Sequence, residues 1–220
     1  MADDEEALTP AEMLALLESQ QRRVEGKLGR FVPAILFGWG VAWSVGFIGL
    51  WLADGGAAGF VLPFEVAAPL FAGLLLAAGA LSTVLGIRSG RGLRPSKESA
   101  FTGMAYGNLW WLGSLGVVVI GQALVARGMP ADLLRIYYPS AFILFSGVMY
   151  VAAGLLWRAQ PMVLLGGWSI VVAAVAALVP PPTHYLVCAI GGGGAYLLVA
   201  VWTLWWSRRA RRGVAEATHG

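Results

Sequence analysis

The chain has 220 residues, 58% of them hydrophobic and 12% charged, with a mean hydropathy of +0.72. Soluble domains carry roughly 25% charge, so this composition excludes an ordinary soluble globule and points to a polytopic membrane protein. The net charge of +3 comes from short basic runs beside apolar segments, which is no nucleic-acid surface, and the lone Cys188 excludes an intramolecular disulfide or a cysteine zinc cage.

Asp3, Asp4, Glu5 and Glu6 follow Met1, whereas a secretory signal needs a basic start, so no cleaved signal is expected. Thr9-Pro10-Ala11-Glu12 then reads as a capping box: Thr9 caps, Pro10 suits the first helical position, and Glu12 reaches back to the cap amide. Leu14, Leu17, Gln21, Val24 and Leu28 follow at alternating spacings of three and four, giving a narrow apolar seam. Residues 1–30 are thus expected to form an acidic start and a cytosolic amphipathic helix. Residues 9–28 either lie on the inner leaflet or on the protein's own cytosolic loops, or they form a helix that docks a cytosolic protein or self-associates.

A bilayer core takes about 20 apolar residues per helix. Six segments qualify: Phe31–Ala53, Val66–Ile87, Met104–Ala126, Ile136–Trp157, Met162–Val179 and His184–Trp206. They are continuous rather than alternating, which favours helices over a barrel. The expected fold is all-α, a six-transmembrane-helix bundle over residues 31–207 followed by a basic cytosolic tail, 208–220. Arg22, Arg23, Lys27 and Arg30 precede the first segment; Arg88, Arg91, Arg94 and Lys97 follow the second; Arg158 follows the fourth; Arg208, Arg209, Arg211 and Arg212 follow the sixth. Of the 15 basic residues only Arg127 and Arg135 fall on the opposite side. The positive-inside rule therefore predicts that both termini are cytoplasmic.

The first segment contains FGWGVAWSVGF. Ala34, Gly38, Ala42 and Gly46 recur every fourth residue and mark a helix-packing stripe. Trp51, Trp157, Trp205 and Trp206 sit at segment ends, where aromatic belts form. Trp39, Trp43, Trp110, Trp111, Trp168 and Trp202 lie deeper, and their indole N–H groups find no partner in lipid, so they should face protein or a cavity. Trp39 and Trp43 are expected near the glycines of the sixth segment. Asp54, Glu65 and His184 flank the outer loops, together with Asp132. Glu65 either favours the positive end of the second helix or joins the others in a cation-attracting or pH-sensing vestibule.

The third segment is the most polar. Asn108 and Gln122 share a face with Trp111, Leu115 and Val119 and stand about 21 Å apart along the axis. That pattern fits interhelical hydrogen bonds around a packed centre, or a solute route with an apolar constriction. The sixth segment carries Gly191-Gly192-Gly193-Gly194. Gly192 and Gly193 sit at its middle, for close approach of a neighbour or for a broken, ligand-binding helix. A faint likeness between the first and fourth segments raises an inverted repeat of three-helix halves.

No Asp, Glu, Lys or Arg lies deep in any segment, which argues against an ion-coupled pump. His184 and Cys188 are too few for a metal site, and no cofactor is implied. Rhomboid proteases are similar in helix number, but here Leu144-Phe145-Ser146-Gly147 lacks their first motif glycine and the second segment has no His or Asn. No enzyme is expected.

The combination TPAEMLALLESQQRRV, FGWGVAWSVGF, AYGNLWWLG, LGGWSIVVAAVAALV and GGGG resembles a family of actinobacterial six-helix integral membrane proteins, commonly labelled only as transporters. The resemblance implies an inner-membrane protein. Two functions remain open. One is a small channel, transporter or transporter subunit for an uncharged or aromatic solute, oligomeric in the bilayer. Its architecture is similar to the substrate-binding subunits of energy-coupling-factor vitamin transporters, whose first helix meets its partner through small residues spaced by four. The other is a non-transporting sensor or scaffold that binds a soluble protein through its N-terminal helix.

Overall fold

The computed structural model describes residues 9–90 and 96–217; for 17–30, 90, 206–208 and 210–217 it describes the backbone path alone. The helices are α1 (Pro10–Ala53), α2 (Phe64–Gly90), α3 (Lys97–Ala126), α4 (Ala131–Leu156) and α5 (Gln160–Leu178). The sixth span is composite: a single turn, α6 (Thr183–Leu186), a π-helical segment (Val187–Gly194), and α7 (Ala195–Ala217). Six helices are long and apolar enough to cross a bilayer. The protein is a multi-pass integral membrane protein with an all-α six-helix bundle.

The N-terminal helix and the first span are one element. α1 runs for 44 residues, about 66 Å, instead of stopping before the membrane. Its capping box is formed as read: the Thr9 amide donates to Glu12 Oε2 at 2.8 Å, and Thr9 Oγ1 accepts from the Glu12 amide at 3.4 Å. Pro33 lies inside the helix and is fully buried without ending it. Leu14 of the expected seam is 61% exposed. The side chains of Leu17, Gln21, Val24 and Leu28, the acidic start, Arg91, Arg94 and most of the tail lie outside the described residues.

The centre is made by α1, α4, α5 and the sixth span. Their shared core includes Leu36, Trp43, Phe47, Ile143, Val172 and Tyr196. α4 and α5 approach backbone to backbone, because a Cβ on Gly147 would stand 2.8 Å from the Gly166 carbonyl oxygen. α2 packs on α1, and α3 packs on α4. The two halves thus echo each other, α1 pairing with α2 and the sixth span as α4 pairs with α5 and α3. The echo is incomplete: α5 also packs on the sixth span, whereas α2 and α3 share no comparable contact. That asymmetry leaves α2 and α3 on the flanks, with 6% of each apolar window buried against 39% for α1 and α4.

Candidate functional site at the sixth span

Three neighbours close on the glycine run. Gly191 faces Val172 of α5; a Cβ there would meet it at 3.1 Å. Gly192 faces the Trp43 ring, also at 3.1 Å. Gly193 faces α1 directly: a Cβ would collide with Ser44 Oγ and stand 2.6 Å from the Ser44 amide nitrogen. The glycines are spent on close approach, and the helix does not break but widens into π geometry. Widening redirects backbone carbonyls, and side chains collect them. Ser44 Oγ donates to the Ala189 carbonyl at 3.3 Å, and the Trp168 indole N–H donates to the Gly191 carbonyl at 2.8 Å. π-helical turns recur at functional sites, which makes this junction the first candidate.

Trp43 is buried against Gly192 and packs its ring on Tyr196, tilted, with centroids 5.0 Å apart. Trp39 takes the other side of α1, donating its N–H to Ser82 Oγ of α2 at 2.9 Å. The Trp43–glycine junction is therefore filled by rings. On the packing stripe, Gly38 faces Leu81 and Gly46 faces Phe71, both of α2; Ala42 is buried and Ala34 is exposed. Small residues on α1 thus serve two partners, with Gly40 and Ser44 reserved for the sixth span.

At the loop end opposite the termini, Asp54 and His184 meet through a residue that the sequence offered only as a topology marker. Arg135 donates to Asp54 Oδ1 at 2.6 Å, and Asp132 lies 3.8 Å from the same guanidinium. His184 is fully buried, with Nε2 3.1 Å from the Arg135 carbonyl. The signal is Pro139. It has no N–H, so the carbonyl four residues earlier has no helical partner. A carbonyl only accepts, so Nε2 carries the proton. His184 Nδ1 and Asp54 Oδ2 have no hydrogen bond among the described residues. Glu65 stays apart, exposed in the first turn of α2. No group of three or more His, Cys, Asp or Glu gathers among the described residues.

Asn108 and Trp111 share a face, and it is the outer one; Gln122, at the edge of that face, is exposed but reaches back to α4. α3 turns Tyr106, Trp110, Gly113 and Val117 to α4. The opposite face carries Trp111, 78% exposed, and Asn108, also exposed. Gln122 donates to Tyr138 Oη at 3.0 Å. The expectation that all deep tryptophans face protein therefore needs correction for Trp111, and for Trp202, which is 56% exposed. The reason is that α3 has one main neighbour, so half its circumference meets lipid. Trp168 is half exposed as well, but its N–H is satisfied by the π segment. Beside it a groove of about 370 Å³ runs between α5 and the π segment, lined by Val171, Val175, Leu186 and Ile190.

No protein-family model matches the chain, and neither does any curated protein or solved structure.

Proposed function

We propose that this protein is a membrane-embedded docking partner, a scaffold or sensor that holds a soluble protein at the cytoplasmic face. The observation that carries this reading is the filled junction at the centre: Trp43, Tyr196 and Ser44 occupy the space around Gly192 and Gly193 where a solute route through one chain would run. α1 supports it further. Its capped N-terminal part, Pro10 to Arg30, adds about 30 Å of helix continuous with the first span. Met13 and Leu14 are exposed on it. The lysine and arginine bias supports cytoplasmic termini, and the resemblance to the actinobacterial family supports a plasma-membrane setting.

The test is a mild-detergent purification of the intact chain beside one lacking residues 1–28. A soluble protein should accompany the first and be lost from the second. Finding none with the intact chain overturns the reading.

One observation favours a second reading, a channel or carrier for an uncharged or aromatic solute. Asn108 and Trp111 lie on one outward face with Gln122 at its edge, so a route would lie between copies rather than inside one. Proteoliposome flux of uncharged and aromatic solutes, abolished by Asn108→Leu with Gln122→Leu, would establish it; no flux at all removes it.

A further inference from the structure

Asn108 is the sole asparagine of the chain and stands in an anomalous place. Its depth is set by its neighbours. Tyr106, two residues before it, packs on Trp157 at the end of α4 and donates to the Met149 carbonyl at 3.1 Å. Trp110, two residues after it, packs on Phe145 and Tyr150. Asn108 is therefore level with Met149 and Tyr150, more than a helical turn inside the end of the α4 span. Two residues from both Tyr106 and Trp110, it points away from α4. The amide is exposed and has no hydrogen bond among the described residues. Lipid offers none, and an unmet amide in hydrocarbon is costly. Several other polar groups of the flanking helices are satisfied: Ser82 and Thr83 of α2 bond back to Ala78 and Gly79, and Gln122 has Tyr138.

The surrounding surface is ordered. Ala105, Asn108, Leu112, Leu115, Val119 and Gln122 follow spacings of three and four, the seam of a left-handed helix pair. Leu112, Leu115 and Val119 are each more than half exposed. Both amides fall on this seam.

We propose that the outer face of α3 is a self-association surface, and that its occupant is α3 of a second copy. The topology of the chain dictates the geometry. The one-sided lysine and arginine bias gives every copy the same orientation, so two α3 helices meet in parallel about an axis along the membrane normal. Each seam residue then meets its own counterpart. A carboxamide both donates and accepts, so Asn108 is complementary to Asn108 across that axis. A single asparagine on such a seam also fixes register and number of strands. The pairing holds whichever reading of the function holds.

The test uses the full chain in proteoliposomes. Single substitutions Leu112→Cys and Leu115→Cys should give a covalent dimer on oxidation, while Leu76→Cys, 74% exposed on α2, should not. The unsubstituted chain controls for buried Cys188. Asn108→Leu should shift the dimer–monomer equilibrium toward monomer by roughly 3- to 30-fold, while Asn108→Gln retains most of the dimer. Asn108→Leu faces outward, so its melting temperature as a monomer should match the parent, which separates lost pairing from lost folding. Equal cross-linking from Leu76→Cys, no α3 cross-link in a folded protein, or a dimer indifferent to Asn108→Leu overturns the proposal. So does a Leu115→Cys adduct that forms in native membranes at a mass other than two chains and is absent from the purified protein; a different membrane protein would then cover the face.

Discussion

α1 and α3 are both apolar enough to span a bilayer and both rich in tryptophan and small residues, yet 39% of the α1 window is buried and 6% of the α3 window. The difference lies in what stands opposite. Gly38 and Gly46 of α1 receive Leu81 and Phe71 of α2, and Gly40 receives Leu197 of the sixth span. Gly103, Gly107 and Gly116 of α3 have open space where a side chain would begin. A small residue in a membrane helix becomes a docking point only when another helix brings a side chain to it. α1 is enclosed on two sides, while α3 spends one side on α4 and leaves the other for lipid or a second copy.

The sharpest way to break that contrast is to truncate one tryptophan in each helix. Trp43→Ala should lower stability by about 3–5 kcal/mol, the cost of a cavity among Phe47, Ile143 and Tyr196. Trp111→Ala should change it by less than about 0.5 kcal/mol in the monomer. Thermal unfolding in detergent reads both, and equal effects would mean that α3 is as enclosed as α1.

Adding volume is the converse. Gly193→Val should cost about 1–3 kcal/mol or more, since its Cβ strikes Ser44 and the backbone of α1. Gly116→Val on α3 should leave monomer stability nearly unchanged. Size-exclusion recovery after brief heating distinguishes the two.

His184→Phe keeps the bulk of the ring but leaves the Arg135 carbonyl unpaired, for about 1–3 kcal/mol. Glu65→Gln, exposed at the start of α2, should leave the melting temperature where it is. A silent His184→Phe would show that water replaces the ring nitrogen.

The smallest expected effect is at the N-terminus of α1. The Thr9 amide and hydroxyl hold the Glu12 carboxyl below its usual value. A carboxyl depressed in the helix stabilises it above the ordinary glutamate range and loses that contribution as pH falls through the depressed value. Backbone carbon chemical shifts of residues 10–16 should therefore lose helical character between pH 6 and pH 3, and Thr9→Ala should flatten that response. Shifts that stay constant over this range would remove the capping box from the stability of the helix.

Much of this architecture is legible along the chain. The six spans follow from continuous apolar length, and the helix start from Thr9, Pro10 and Glu12 at the right offsets. The four glycines plainly ask for close approach, and the deep Trp43 points to the first segment as one neighbour, but a one-dimensional pattern carries no information that Val172 of α5 closes on Gly191 or that the turn widens. Arg135 could have been found from Pro139, four residues on, because a proline always frees that carbonyl. Its partner His184 could not, since the pairing joins α4 to the sixth span across a long stretch of chain. The seam through Asn108 and Gln122 was visible as a face, but whether that face looks inward depends on where α4 sits.

By itself the sequence determined that this is a six-span α-helical membrane protein, because bilayer thickness and backbone hydrogen bonding leave an apolar chain of this pattern no other regular solution. It also determined the capped start of α1, because capping is local. Only the tertiary structure decided that α1 runs unbroken into the membrane, that Trp43 goes to the glycine run while Trp39 turns to α2, and that α3 turns Asn108 outward while Gln122 reaches Tyr138 of α4. Those outcomes depend on which helices become neighbours, and in a bilayer, where lipid is as apolar as a helix face, hydropathy does not choose among them.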